Sequence, residues 1–105
     1  MLDIRICIAS PVSGYSTAMG ESSMYAGGGL NSSAFGYQAL NQETASGSYN
    51  SSFGYRSSKG TIAGTGNSAF GAGALQTNNA DSNTAVGQNA GQTSTTAYQC
   101  VYLGA

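Results

Sequence analysis

Four carboxylates, Asp3, Glu21, Glu43 and Asp81, are scattered along the chain, and no two stand at a spacing that suggests an acid–base dyad. Histidine is absent altogether, and with it the commonest general base and metal ligand. Cys7 and Cys100 are the only thiols and lie near opposite ends of the chain. The Gly64-Thr65-Gly66 run is not followed by the Lys-Ser or acidic residue of a nucleotide-binding loop. The aspartates that Ca²⁺-binding nonapeptide repeats require are missing too. These residue types predict neither catalysis nor a bound cofactor, metal or small-molecule substrate.

Charge narrows the partners further. Asp3, Arg5, Glu21, Glu43, Arg56, Lys59 and Asp81 are the whole charged set, with a net charge of -1. Three dispersed cations make no basic patch, so nucleic acid is not an expected partner. No run of eighteen apolar residues is present, and Met1 to Arg5 lacks the basic and long apolar regions of a secretion signal. The expected product is therefore made and left in the cytoplasm, with no membrane partner.

A 105-residue chain has room for one domain, yet large apolar side chains are scarce. Gly accounts for 16 residues, and much of the 40% apolar fraction is Ala, which buries little surface. A single proline and ten aromatics argue against disorder. What remains is a repeat architecture, in which stacked small residues and backbone hydrogen bonds carry the stability.

The repeat is a small polar residue, Ser or Thr, Ala, a large apolar residue and Gly. Its copies are Ser16-Thr17-Ala18-Met19-Gly20, Ser32-Ser33-Ala34-Phe35-Gly36, Asn50-Ser51-Ser52-Phe53-Gly54, Asn67-Ser68-Ala69-Phe70-Gly71, Asn83-Thr84-Ala85-Val86-Gly87 and Cys100-Val101-Tyr102-Leu103-Gly104. Successive apolar-Gly steps are 16, 18, 17, 16 and 17 residues apart. That period is too short for two helices and a turn, and the glycines would cost a helix about 1 kcal/mol each. It predicts an all-β, parallel β-solenoid of about six coils over residues 13–105, each coil running strand-turn-strand-turn.

Equivalent residues would then stack about 4.8 Å apart. Phe35, Phe53 and Phe70 become an aromatic column, Asn50, Asn67 and Asn83 an amide column, and Tyr37 and Tyr55 a second aromatic pair. Gly20, Gly36, Gly54, Gly71, Gly87 and Gly104 each follow an apolar residue that reads as turned inward. Glycine belongs there because the backbone turns with positive φ or approaches another backbone too closely for a Cβ. In such a stack Cys7 and Cys100 are on the order of 25 Å apart, beyond the roughly 4.4–6.8 Å a disulfide spans.

Each coil has one reliable large apolar position, helped by Ala39, Leu40, Ala74 or Leu75, so it resembles a thin, flattened roll. Such a roll cannot hide its apolar column alone. Three rolls about an axis can, which predicts a homotrimer whose core is Met19, Phe35, Phe53, Phe70, Val86 and Leu103, with two-fold packing as the alternative.

Residues 1–12 stand outside the repeat. Leu2, Ile4, Ile6 and Ile8 alternate with Asp3, Arg5, Cys7 and Ala9, as in a strand with one apolar face. They would either cap the first coil or form an attachment strand that adds to an edge on a larger particle. At the other end Val101, Tyr102 and Leu103 form the most apolar strand, which either plugs the trimer axis or is continued by another protein.

The segments Ser32 to Leu40, Asn67 to Leu75 and Asn83 to Gly91 resemble the head repeat of trimeric autotransporter adhesins and its relatives in bacteriophage fibres, tailspikes and decoration proteins. The resemblance covers about residues 15–105 and implies a left-handed parallel β-roll that associates in threes. The drifting period, the unusual Met24-Tyr25-Ala26-Gly27-Gly28-Gly29 and the bulky last copy depart from the family pattern. With no secretion signal, coiled-coil stalk or membrane barrel in the sequence, the phage branch fits better. The resulting expectation is a non-enzymatic virion protein, a capsid decoration or short fibre, contacting other virion proteins through its N-terminal segment. The alternative is an adhesin or receptor-binding head at a cell surface, with Tyr37, Tyr55 and Arg56 touching host glycan or protein. An ice-binding solenoid ranks last, because Thr93, Thr95 and Thr96 do not recur in each coil.

Overall fold

A computed structural model of the chain describes residues 6–7, 15–25, 30–42, 47–61 and 64–105. Each copy of the repeat contributes one three-residue strand: β2 (Thr17–Met19), β3 (Ser33–Phe35), β4 (Ser51–Phe53), β5 (Ser68–Phe70), β6 (Thr84–Val86) and β7 (Val101–Leu103). These six strands are parallel and in register, so Ala18 pairs with Ala34, Ser52, Ala69, Ala85 and Tyr102 in succession, and Met19 heads the apolar column. The protein is an all-β parallel solenoid; six strands enclose about five turns, since the last strand has no complete coil after it. A short strand, β1 (Ile6–Cys7), pairs antiparallel with β2 and occupies its outer edge.

The remainder of each coil differs from the strand-turn-strand-turn expectation. The side opposite the strands consists of turns in the described residues. Met24, Leu40, Ser58 and Leu75 all have φ of 48–49°, and Ser22, Gln38 and Arg56, two residues before the first three of them, have φ of 55–60°. Left-handed residues so closely spaced interrupt any extended run. Their backbones still bond from coil to coil, as in Leu40 N–H to Ser57 O (3.1 Å) and Ser58 N–H to Ala74 O (2.8 Å). The hydrogen bonds of neighbouring coils are what hold the non-glycine residues in this region of φ.

Along each strand the side chains alternate in and out. The middle residue points inward, where Ala18, Ala34, Ser52, Ala69 and Ala85 are buried. The four alanines meet Met24, Ala39, Leu40, Ala74, Leu75 and Ala90 from the turn side in two apolar clusters. Between the clusters lies one polar rung. The copy with Ser52 in place of Ala also has Ser57 and Ser58 in place of Ala-Leu, and the Ser52 and Ser57 hydroxyls bond to each other. The thickness of the roll, 15 Å along its short axis, leaves room for a single layer of such side chains.

The glycine column satisfies both geometric reasons at once. Gly54 has φ +135°, and a Cβ on it would lie 2.7 Å from Gly71 O. Gly71, at +136°, would clash with Gly87 O at 2.5 Å in the same way. Backbone meets backbone directly at this corner, and Gly71 N–H donates to Phe53 O across it (2.9 Å).

Beside the strands runs a buried polar ladder. Asn67 N–H donates to Asn50 Oδ1 (2.8 Å), Asn83 N–H to Asn67 Oδ1 (2.9 Å) and Cys100 N–H to Asn83 Oδ1 (3.0 Å). Each Nδ2 turns across the coil to a carbonyl: Asn50 to Gly64 (2.7 Å), Asn67 to Ala80 (2.9 Å) and Asn83 to Ala97 (2.7 Å). The ladder reaches further than the asparagines, because Ser32 Oγ accepts from Asn50 N–H (3.1 Å) and Ser16 Oγ from Ser32 N–H (3.2 Å). A buried amide that satisfies backbone groups in two directions fixes the register of adjoining rungs.

Candidate interaction surfaces

The large apolar residues before each glycine point out of the roll, not into it. The interior is one small-residue layer thick, and a Phe at that position cannot fit inside. Met19, Phe53, Phe70 and Val86 are each 38–44% exposed, Leu103 is 76% exposed, and Phe35 is half-buried. They form one continuous stripe across six strands. Within it Phe35 and Phe53 stack with centroids 4.8 Å apart and planes 9° from parallel, and Phe53 and Phe70 at 5.1 Å and 6°.

Thr17, Ser33, Ser51, Ser68 and Thr84 lie on the same face two residues earlier and give the stripe a small polar border. In β7 that border position is Val101, also exposed, so both outward residues of the last strand are apolar. Contiguous apolar surface of this kind on a folded chain marks a contact surface.

On the far side of the glycine corner, Tyr37 and Tyr55 stack at 5.5 Å with planes 13° apart. The guanidinium carbon of Arg56 lies 5.0 Å from the Tyr55 ring centroid, and its Nε donates to Gln38 Oε1 (3.1 Å). The structure thus brings together the three outer-face residues singled out in the sequence. Lys59 follows three positions later, half-buried.

Of the alternating N-terminal residues, Leu2, Ile4 and Ile8 lie outside the described residues. Ile6 stands in β1, in register with Met19. Cys7, also in β1, and Cys100, just before β7, flank opposite edges of the sheet, and Cys100 is a free thiol with Sγ 3.4 Å from Tyr98 O. Among the described residues no three His, Cys, Asp or Glu side chains converge as metal ligands would.

The residue types in the repeat announced the columns, but not the left-handed turn positions or the membership of Ser16, Ser32 and Cys100 in the ladder. The available signal for the ladder was positional: all three stand where the other copies have Asn. Compared with known proteins, the chain matches no family model, no curated protein and no solved structure.

Proposed function

We propose that this chain is a structural building block that assembles as a homotrimer through its apolar stripe and serves in a bacteriophage virion, as a capsid decoration or short fibre. The observation that carries the reading is the outward column Met19, Phe35, Phe53, Phe70, Val86 and Leu103, partly exposed along its length and most exposed at Leu103. Burying the exposed part of each side chain contributes roughly 1 kcal/mol per residue in each chain.

Periodicity selects the partner. A column with one apolar group about every 4.8 Å matches another stacked sheet, and copies of this chain supply the same spacing in the same order. Three thin rolls around an axis shield all three stripes and leave none to propagate the contact. The resemblance to adhesin heads and phage fibres supports threefold closure and the virion setting. Nothing in this function calls for catalysis.

Mass spectrometry of purified particles tests the virion assignment. Stoichiometric recovery of the chain supports it, and absence from intact particles overturns it. A second reading, a receptor-binding head, draws on Tyr37, Tyr55 and Arg56, which form an outward aromatic and cationic shelf apart from the stripe.

A further inference from the structure

We propose that a notch beside Tyr55 binds a carboxylate-bearing pyranose, the acidic sugar of a surface glycan. It deepens the receptor-binding reading, and because it lies within a single chain it does not depend on the trimer.

The notch arises from an interruption in the ring column. Tyr37 stacks on Tyr55, but the next rung carries Ala72 in the tyrosine position and Gly73 in that of Arg56. Gly73 N–H donates to Tyr55 O (2.9 Å), which fixes this register. The stack therefore ends at Tyr55, and a recess of about 240 Å³ opens against it over Ala72 and Gly73. Gly73, with φ +70°, lets the Asn89 side chain pack close against the floor, where a Cβ would collide with Asn89 Oδ1.

The walls supply the rest of the chemistry. A pyranose presents a C–H face to an aromatic ring and hydroxyls at its rim, and rings with polar neighbours suit such amphipathic ligands. Gln92 Nε2 donates to Gln76 Oε1 (2.8 Å) on one wall, which leaves Gln92 Oε1 and Gln76 Nε2 to meet hydroxyls as acceptor and donor. Among the described residues, Arg56 is the only charged one lining the recess. Its Nε is held by Gln38 and its guanidinium carbon lies 5.0 Å from the Tyr55 ring centroid, which sets beside the ring the group that pairs best with a carboxylate.

Titration of the intact protein with methyl β-glucuronide, methyl α-sialoside and neutral methyl β-glucoside, followed by NMR, tests the assignment. Binding of at least one acidic sugar is expected, at least tenfold tighter than the glucoside, with shifts at Tyr55, Ala72 and Gly73. Arg56→Gln should remove the preference for acidic sugars. Ala72→Tyr, which continues the ring column and fills the recess, should abolish binding with the solenoid intact by circular dichroism. Failure of both acidic sugars to bind, equal binding of the glucoside, or binding that survives Ala72→Tyr overturns the proposal. The solution mass of the same sample reports separately on the trimer.

Discussion

Asn67 Oδ1 accepts the backbone N–H of Asn83 at 2.9 Å, so the side chain of one rung completes the hydrogen bonding of the next. Its amide nitrogen meanwhile holds Ala80 O across the same coil, and its own N–H donates to Asn50 Oδ1. One buried residue thus joins three consecutive copies of the repeat.

Asn67→Ala leaves the buried Asn83 N–H without its acceptor, while the Ala80 carbonyl keeps Asn78 Nδ2 (3.1 Å). The orphaned N–H costs about 1–3 kcal/mol, so a clear fall in denaturant midpoint is expected. Asn67→Ser should be milder, since Ser32 Oγ already performs the accepting role for Asn50. Chemical denaturation of both variants checks the order, and equal loss would mean that the ladder acceptor is unimportant.

Substitution at the glycine corner should be position-specific. Gly54→Ala places a Cβ 2.7 Å from Gly71 O at φ +135°. Strain of this kind costs about 1–3 kcal/mol before any clash is counted. Gly66 has φ +69° and a Cβ there would meet Ser82 Oγ at 3.8 Å, an ordinary contact, and Asn31 holds the equivalent position in another coil at φ 56°. Gly66→Asn should therefore be nearly neutral. Thermal melts of the two variants should separate clearly.

The thiols should never close a loop within the chain. Cys7 lies in the strand at one edge of the sheet and Cys100 borders the strand at the other. After mild oxidation, a denaturing gel without reductant should show no faster-migrating looped monomer. Such a band would contradict the order of strands.

Much of this arrangement was legible in the sequence because parallel stacking converts repetition directly into contact. Phe35, Phe53 and Phe70 recur at nearly equal intervals and therefore had to share a column. Spacing alone did not settle which side of the wall they occupy. The answer depends on thickness: a coil lined by Ala34, Ala39 and Leu40 is already full. The left-handed φ of Leu40 and Leu75 was not legible, since leucine carries no preference for it. It is imposed by bonds to neighbouring coils, such as Leu75 N–H to Ala90 O (3.0 Å). Tyr37, Tyr55 and Arg56 were recognisable as a group. The recess next to them comes from small residues, Ala72 and Gly73, one coil later.

The stripe itself can be disabled without touching the interior. Phe53 is stacked between Phe35 and Phe70 on the outer face, while Ser52 beside it points inward. In the proposed trimer Phe53→Asp would set three charges near the shared axis and should release single chains, whereas Gln88→Asp, on an exposed residue beyond the glycine, should leave assembly unchanged. Size-exclusion profiles of the two variants at equal concentration check the contrast.

The solution mass of the purified chain, by sedimentation equilibrium or native mass spectrometry, bears most directly on the outward apolar column. A mass of three chains, persisting on dilution to low micromolar concentration, is expected if Met19, Phe35, Phe53, Phe70, Val86 and Leu103 are shielded by copies of themselves. A folded, monodisperse single chain at high concentration would contradict it.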